Sequence, residues 1–423
     1  MKNGVVIIGA GHAGVQAAAS LREEGYDGPV RLIGDEAELP YHKPPLSKTF
    51  IKDVDARPQI LRADSFYTGA GVDLLLGERA VRLDPLAGRL DLASGTSLAF
   101  DKAILATGAR PREFAIEGGP LAGVLSLRSI ADARVIRALA ATVEDVVILG
   151  GGFIGLEIAA TLAAGGRRVT VVEAQDRLLA RAVAPAISAH VAGRLATSGV
   201  RVMLRTTVSR IEGDKGHVSA IVTSAGERIA ARMLIVGIGV VPNVELAADA
   251  GLAIANGIRV DGQLRSSAAD IFAIGDSASY RHWLTGGDVR LESVQNATDH
   301  AKLVARAIAG HGASYAAVPW FWSDIGDMKL QMVGLTGGSD SHVVSGDAAD
   351  NRFSVFHYQD GRLIGIESVN RPADHMLGRR MLAAGFSPDA QTAAAGGESL
   401  KAALAAWQAS HPDPNREAAS TPS

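Results

Sequence analysis

Four apolar residues in a row, 5–8, are followed by a glycine-rich turn, 9–14, and by an alanine-rich stretch, 15–21. A short, uninterrupted apolar run is typical of a parallel strand that is covered on both faces. The turn, Gly-Ala-Gly-His-Ala-Gly, leaves little room for side chains, and the small residues after it predict a helix packed closely on the strand. This pattern places a pyrophosphate on free N–H groups at a helix N-terminus.

A second apolar strand is predicted over 30–34, and Asp35 and Glu36 follow it. An acid at about 20 residues beyond such a glycine turn is where the ribose of a dinucleotide is held. The glycines alone would fit an ordinary tight turn equally well. The acids at the end of the second strand therefore favour a dinucleotide site.

The same pattern occurs a second time. A strand over 146–149 leads into the turn Gly-Gly-Gly-Phe-Ile-Gly, 150–155, and a helix is predicted from Leu156. A second strand over 169–172 then ends at Glu173. Two copies in one chain predict two bound dinucleotides.

The stretch 35–48 contains three prolines, which prevent a continuous helix or strand. Its adjacent pair, Pro44 and Pro45, makes the chain stiff, so that Lys48 is held at a fixed position beside the first turn. A rigid exposed loop fits this stretch as well, and both interpretations stay open at this point.

Three later apolar strands end in small residues or an acid. Those over 103–108 and 233–239 end in glycine, which lets the backbone approach a cofactor closely. The strand over 271–274 leads to Asp276 at a predicted helix start, where the helix dipole favours an acid. Asp276 fits a cofactor contact or a plain helix N-cap.

From about residue 320 the pattern becomes alternating, which predicts an antiparallel sheet followed by helices, and so a third, α+β domain. The predicted strands and helices are 329–333, 342–344, 353–358, 363–369, 373–384 and 400–409.

Composition narrows the function classes. A chain of 423 residues predicts two or three domains. The net charge of −3 and the pI of about 6.4 give no general attraction to nucleic acid or to an anionic membrane. The chain has no cysteine, which excludes disulfides, thiolate metal ligands and a redox dithiol.

The N-terminal stretch 3–21 imitates a secretory signal, but cleavage there would remove the first glycine turn. No run of about 20 apolar residues lacks both a charge and a glycine cluster. We therefore expect a cytoplasmic protein without membrane or nucleic-acid partners, as a monomer or weak homodimer. The histidines show no metal-binding spacing, so no metal site is expected.

Nine short motifs occur between residues 4 and 380, among them YHKPPLSK, LATGARPR, GGGFIGLE, IFAIGDSA and PWFWSD. In these motifs and in their order along the chain, the sequence resembles the FAD-dependent NAD(P)H:ferredoxin reductases of cytochrome P450 and Rieske oxygenase systems. The resemblance implies an α/β fold with two Rossmann-like dinucleotide-binding domains, as in glutathione reductase, and a C-terminal α+β domain. It places an FAD domain over 1–113 and 240–318, an NAD domain over 114–239 and an interface domain over 319–410. The remaining tail, 411–423, is expected to be disordered.

The resemblance and the glycine turns together imply the cofactor contacts. Lys43 stands where many relatives have arginine, so its phosphate contact would lack bidentate geometry. His12, inside the first turn, is interpreted as a bystander. The expected FAD contacts are Gly9, Gly11, Ala13, Gly14, Asp35, Lys43, Lys48, Val81, Thr107, Gly108, Arg128, Asp276, Glu292 and Val294. The expected NAD contacts are Gly150, Gly152, Ile154, Gly155, Glu157, Glu173 and Gly239.

Four residues are expected to act in catalysis. Lys48 and Glu157 would form a pair that orients the nicotinamide and stabilises the charge of reduced flavin, although a structural salt bridge is the alternative. Trp320 and Trp322 would pack on the nicotinamide or the flavin edge, or else belong to the domain core.

The resemblance implies that NADH gives a hydride to FAD and that single electrons pass to a [2Fe–2S] ferredoxin. Candidate docking residues are Lys302, Arg306, Lys329, Arg379 and Arg380, unless these are scattered solubilising charges. Rival functions are rubredoxin reductase, another NADH:acceptor flavoprotein, and a non-enzymatic NADH-sensing flavoprotein. Glu173 favours NADH over NADPH, with Arg177 and Arg181 as residues that would weaken the preference.

Overall fold

A computed structural model describes residues 3–114 and 121–411. These residues fall into two compact units. The bounds of the first unit are Met1–Phe114, Ser126–Ala141 and Ile238–Ala317, and those of the second are Ala115–Leu125, Thr142–Gly237 and Val318–Ser423. The three-domain division expected from the sequence stays a prediction. The expected tail, 411–423, lies outside the described residues apart from His411.

Helices occur in both units. In chain order they are α1 (His12–Glu23), α2 (Thr49–Lys52), α3 (Asp64–Gly69), α4 (Ile130–Ala140), α5 (Phe153–Ala164), α6 (Pro185–Thr197), α7 (Glu245–Asp249), α8 (Val294–Ile308), α9 (Pro372–Ala383), α10 (Ala390–Ala395) and α11 (Gly397–Ser410), with 3₁₀ turns at Pro44–Ser47 and Gly275–Ser277. Within the described part of the chain no helix is long and apolar enough to cross a membrane.

Strands likewise occur in both units. In chain order they are β1 (Val5–Ile8), β2 (Val30–Gly34), β3 (Val72–Leu76), β4 (Ala80–Asp84), β5 (Arg89–Leu92), β6 (Ser97–Ala99), β7 (Lys102–Leu105), β8 (Ala109–Pro111), β9 (Val124–Leu125), β10 (Asp145–Leu149), β11 (Arg168–Val172), β12 (Arg201–Met203), β13 (Val208–Asp214), β14 (His217–Thr223), β15 (Arg228–Ala230), β16 (Met233–Val236), β17 (Val240–Pro242), β18 (Ile254–Ala255), β19 (Gly257–Arg259), β20 (Ile271–Ala273), β21 (Ala278–Arg281), β22 (Asp288–Val289), β23 (Trp320–Ile325), β24 (Met328–Gly334), β25 (Ser341–Asp347), β26 (Arg352–Gln359) and β27 (Arg362–Val369).

The first unit is built on a parallel five-stranded sheet in the order β20-β7-β1-β2-β3. All four residues of β1 are buried, as expected for a central strand covered on both faces. Helix α1 buries its alanine face, and α8 packs beside it. The carboxyl ends of the parallel strands therefore meet the start of α1, where the first glycine turn lies.

The second unit repeats this plan. Its parallel sheet has the order β12-β11-β10-β16-β9, with α5 after β10. A three-stranded antiparallel sheet, β13-β14-β15, is inserted before β16 and had no counterpart in the sequence prediction. The mixed α/β class expected from the sequence is confirmed.

The C-terminal part of the second unit is an antiparallel sheet in the order β23-β24-β27-β26-β25. Helix α9 packs on β24 and β27, α11 packs against α9, and together they enclose a core around Phe356, Ile366, Met381 and Leu404. Four of these strands match the predicted ones, and β23, which carries both tryptophans, is additional.

A buried carboxylate joins the two parts of the second unit. Glu367, on β27, is 1% exposed, and its carboxylate accepts a hydrogen bond of 2.7 Å from the backbone N–H of Ala184. Its other oxygen accepts a 3.2 Å hydrogen bond from Thr336 and lies 3.4 Å from the His357 ring. An anion at this depth needs such partners, because burial without them would be costly.

Candidate active site

The first glycine turn is closed towards the protein and open on its other side. A Cβ atom on Gly9, whose φ is +112°, would lie 2.1 Å from the carbonyl oxygen of Ala106, and one on Gly14 would lie 1.9 Å from the carbonyl oxygen of Gly9. Gly11, the N-cap of α1, has φ −83°, and a Cβ atom there would meet nothing within 4 Å. The space beside Gly11 fits the diphosphate of a dinucleotide.

The second turn has the same construction. A Cβ atom on Gly155 would lie 2.6 Å from the carbonyl oxygen of Gly150, and one on Gly151 would lie 2.6 Å from Leu178. Gly152, the N-cap of α5, corresponds to Gly11, since a Cβ atom there would be 4.0 Å from its nearest neighbour. Helix α5 begins at Phe153, three residues before the predicted Leu156, so that the last glycine of the turn, Gly155, belongs to its first helical turn.

The acid after the second strand is held against the turn in the second unit. Glu173 accepts hydrogen bonds of 2.6 Å from the N–H of Gly151 and 2.7 Å from the N–H of Gln175. This puts its carboxylate beside the glycine turn, where it can accept from a ribose hydroxyl. Arg177 is held by its own loop, since its guanidinium donates to the carbonyls of Val183 at 2.7 Å and Ala180 at 2.5 Å.

In the first unit, Asp35 and Glu36 have different surroundings. Asp35 is exposed at the end of β2. Glu36 accepts from the hydroxyl of Tyr41 and from Nζ of Lys43 at 3.1 Å. Burial raises the pKa of Tyr41 above its ordinary value, and the hydrogen bond to Glu36 acts in the same direction. Glu36 is therefore bound by residues of the loop after β2, which leaves Asp35 as the acid that can bind a ligand.

Four predicted FAD contacts come together around one ion pair. Arg128 lies 3.2 Å from Asp276, and both side chains are partly buried. A Cβ atom on Gly275 would lie 3.2 Å from Ala13, which puts Asp276 beside the start of α1. The Arg128 guanidinium would lie 3.4 Å from a Cβ atom on Gly108. Asp276 does not begin a long helix, because its 3₁₀ turn runs directly into β21.

A largely buried arginine that the sequence analysis missed supports the same region. Arg290 donates to the carbonyl oxygen of Asp276 at 3.0 Å and pairs with Glu292 at 2.7 Å, and its side chain is 9% exposed. Glu292, a predicted FAD contact, is exposed and forms this ion pair with Arg290. Val294, the next predicted contact, is the half-buried first residue of α8.

The other predicted FAD contacts are spread over the first unit. The hydroxyl of Thr107 donates to the carbonyl oxygen of Asn243 at 2.7 Å, which joins the segment after β7 to the segment after β17. Lys48 follows the 3₁₀ turn Pro44–Ser47 and donates to the carbonyl oxygen of Pro44 at 3.1 Å. Val81, on β4, is 47% exposed.

Glu157, on α5, is 6% exposed and accepts a hydrogen bond of 2.6 Å from the hydroxyl of Ser323 on β23. On the same face of β23, the ring of Phe321 lies 4.8 Å from that of Phe153. Ser323 was missed by the sequence analysis, and it fixes the direction of a carboxylate expected to act in catalysis. Lys48 belongs to the first unit and Glu157 to the second, and their pairing stays a prediction.

Trp320 and Trp322 lie on the other face of β23, since side chains alternate along a strand. Their rings are 5.7 Å apart, and Arg379 lies 4.7 Å above the ring of Trp320. His375 packs edge-on against Trp320, with burial lowering the pKa of this histidine to about 4. Trp320 thus borders the C-terminal core, and a cofactor contact for either tryptophan stays a prediction.

The last two predicted NAD contacts, Ile154 and Gly239, lie in different units. Ile154, in the first turn of α5, is 43% exposed. Gly239, with φ +105°, belongs to the first unit, where its carbonyl oxygen accepts from the N–H of Arg112 at 2.9 Å.

Among residues 3–114 and 121–411, no group of three or more histidines, aspartates and glutamates is arranged to hold a metal ion.

Comparison with known families gives two matches. The profile of the pyridine nucleotide-disulphide oxidoreductases matches residues 3–301, which include both glycine turns. A profile described as the reductase C-terminal domain matches residues 320–404, which hold the antiparallel sheet.

Individual proteins match over nearly the whole chain. Rhodocoxin reductase of Rhodococcus erythropolis is 43% identical over 410 residues, 97% of this chain and 96% of the relative. A rubredoxin-NAD(+) reductase of Pseudomonas putida is 43% identical over 371 residues, 87% of this chain and 96% of the relative. The crystal structure of the ferredoxin reductase for the CYP199A2 system of Rhodopseudomonas palustris superimposes with a TM-score of 0.93 at 43% identity, covering 95% of this chain and 100% of that one.

Proposed function

The chain belongs to the pyridine nucleotide-disulphide oxidoreductase family, and from that premise we propose that it is an FAD-dependent NADH:ferredoxin reductase of an oxygenase system. Although the family is named for disulphide chemistry, this chain has no cysteine. Neither a dithiol nor a mixed disulphide can form on it. Electron transfer from a bound flavin would therefore not pass through a thiol of this chain.

The observation that carries this proposal is the pair of glycine turns, each open beside its second glycine. Gly11 and Gly152 both cap a helix and have no protein atom closer than 4.0 Å to the position of a Cβ atom. Asp35 directly follows β2 and Glu173 directly follows β11, the second strand after each turn. We assign the first turn to FAD, because Arg128 and Asp276 surround it, and the second to NADH.

The bound flavin would supply the redox chemistry, taking a hydride from NADH and giving electrons singly to an iron–sulfur acceptor. Gly11 and the N-terminus of α1 would hold the diphosphate of FAD, while Asp35 would accept from its ribose. Glu157, kept in one direction by Ser323, would orient the nicotinamide. Lys48 would provide positive charge for the reduced flavin.

The acceptor we propose is a small [2Fe–2S] ferredoxin. A similar solved structure is a ferredoxin reductase, whereas another relative is a rubredoxin-NAD(+) reductase, so rubredoxin is the alternative acceptor. Ferredoxins of this kind are acidic, and electrostatic attraction to a basic face accelerates association. The docking residues we propose lie in both units, and Arg379 stands over Trp320. They are Lys302, Arg306, Lys329, Arg379 and Arg380.

The test is a comparison of acceptors. The purified protein should be yellow, with one FAD for each chain, and NADH should bleach it under anaerobic conditions. It should then reduce a [2Fe–2S] ferredoxin much faster than rubredoxin, and glutathione disulfide not at all. A preparation that takes up no FAD, or one that prefers rubredoxin, would contradict the proposal.

NADH should be preferred over NADPH by at least about tenfold in kcat/KM, a difference of about 1.4 kcal/mol. The carboxylate of Glu173 accepts from a ribose hydroxyl but repels a 2′-phosphate. Arg177 cannot offset this, because its guanidinium is bound to two carbonyls of its own loop. Glu173→Gln should reduce the preference to about twofold, whereas Glu227→Gln, at an exposed carboxylate of the same unit, should leave it unchanged. Equal kcat/KM for the two coenzymes in the parent would contradict the assignment.

Charge reversal on α8 should slow electron transfer to the ferredoxin. Lys302 and Arg306 are exposed and lie one turn apart on one face of α8. Each change to Glu should cost about fivefold in kcat/KM for ferredoxin, mainly through slower association at low salt. Arg232→Glu is the matched control, since Arg232 precedes β16 at the end of the sheet away from the glycine turn. Unchanged ferredoxin turnover in the double variant would place docking elsewhere.

A further inference from the structure

Two histidines meet at the first glycine turn. His12 is the first residue of α1, and His42 lies in the loop before Pro44. Nε2 of His12 is 3.3 Å from Nδ1 of His42, and the two rings pack edge to face with their centroids 5.2 Å apart. One of these two nitrogens must carry the proton that the other accepts. The pair therefore already shares a hydrogen-bonded proton beside Gly11.

The two permanent cations near this pair each form an ion pair with a carboxylate. Nζ of Lys43 lies 3.1 Å from the carboxylate of Glu36. The guanidinium of Arg128 lies 3.2 Å from the carboxylate of Asp276. The formal charges of these four residues sum to zero, although His12 itself is influenced by the two cations, Lys43 and Arg128. The N-terminus of α1 adds only about half a positive charge.

Both histidines are neutral at pH 7 in the absence of a ligand. Burial lowers the pKa of His12 to about 4, and His42, Lys43 and Arg128 act in the same direction. Burial also lowers the pKa of His42. A diphosphate carries a negative charge on each phosphate, and a nearby anion favours the charged form of an imidazole. An anion at Gly11 would thus favour the protonated form of the pair.

We propose that the His12–His42 pair takes up a proton from solvent when FAD binds, and that the resulting positive charge compensates the FAD diphosphate at the start of α1. This inference rests on the proposed function, which places FAD at the first turn. It gives His12 a role in binding in place of the bystander interpretation. The proton returns to solvent when FAD dissociates, so charge and atoms balance.

The direction of the pH dependence follows from the two states of the pair. The pKa of the pair is low without FAD and higher with FAD bound, so FAD binds together with a proton between these two values. In that range FAD affinity falls as pH rises, by up to about tenfold for each pH unit. Above the higher value the pair is neutral in both states, and affinity becomes independent of pH.

The experiment measures FAD affinity of the full-length protein by flavin fluorescence from pH 5 to 8.5. Calorimetry of FAD binding at pH 6, in two buffers that differ in ionisation enthalpy, counts the protons taken up. The parent should take up close to one proton, and its dissociation constant should rise with pH before levelling off. His42→Gln and His12→Gln retain a polar side chain but cannot be protonated, so both should lose the proton uptake. Their affinity should fall by about tenfold at pH 6 but by less than about twofold at pH 8.5.

His311→Gln is the matched control. His311 is exposed in the same unit and lies 3.5 Å from Glu24, at the other end of α1. Its exchange should leave the slope and the proton count of the parent intact. Binding of FAD with no proton uptake, or an unchanged slope in both glutamine variants, would overturn this inference alone. Failure of the parent to bind FAD at any pH would instead overturn the proposed function.

Discussion

The Gly11→Ala protein should purify folded but nearly colourless, with an affinity for FAD at least about a hundredfold below that of the parent. Alanine is compatible with the backbone at this position, because φ of Gly11 is −83° and its Cβ atom would meet no protein atom within 4 Å. The added methyl group would instead enter the space where the backbone must approach the diphosphate. A loss of about 2.7 kcal/mol of binding energy corresponds to this hundredfold change. Flavin absorbance and FAD titration measure the affinity, and circular dichroism measures the fold.

Two other alanine substitutions separate folding from binding. Gly69→Ala is the neutral control, since Gly69 is exposed at the end of α3 and also has nothing within 4 Å. Gly14→Ala should lower stability itself, because its Cβ atom would lie 1.9 Å from a backbone oxygen. Gly152→Ala should show the reciprocal result, a yellow protein that NADH no longer bleaches efficiently. Parental FAD affinity in Gly11→Ala would place the diphosphate elsewhere.

The Glu157→Gln protein should keep its FAD, yet its flavin should be reduced by NADH about a hundredfold more slowly, because misplacement of reacting groups by about 1 Å has effects of this size. Glutamine has the volume of glutamate and can still accept from Ser323, so the change removes mainly the charge. Anaerobic stopped-flow measurement of flavin reduction at saturating NADH gives the rate directly.

Two variants show whether the direction of this carboxylate matters. Ser323→Ala keeps the charge but removes the 2.6 Å hydrogen bond, and should slow flavin reduction by about tenfold. Ser323→Thr retains the hydroxyl and should restore most of the rate. Glu144→Gln, at an exposed carboxylate of the same unit, should have no effect. Parental rates in Glu157→Gln would assign this residue a structural role alone.

The parts of the site that could be predicted from the sequence are those with a local pattern. The apolar strands 5–8 and 146–149 and the glycines after them form each turn from neighbouring residues, so their spacing suffices. The contact of Ser323 with Glu157 spans 166 residues and involves a residue type without a distinctive pattern. Arg290 is of the same kind, since its ties to Asp276 and Glu292 depend on the tertiary fold.

Element boundaries show the same limit. The sequence after β20 has the small and polar residues of a helix start, but the chain turns at Gly275–Ser277 and enters β21. Strand β23 was missed because its apolar and polar residues do not alternate clearly at Trp320–Ile325. It is recognised only by its pairing with β24.

The buried carboxylate of Glu367 restricts how modules of this kind can be exchanged between relatives. Its partner at 2.7 Å is the backbone N–H of Ala184, in the loop before α6. One side of the contact therefore comes from the C-terminal sheet, and the other comes from the part of the chain that precedes it. A chimera that joins a foreign C-terminal sheet at residue 318 keeps this loop but loses Glu367 as the acceptor for the N–H of Ala184. Hybrids that take both the loop before α6 and the C-terminal sheet from the same parent should fold more often than hybrids that take these two segments from different parents.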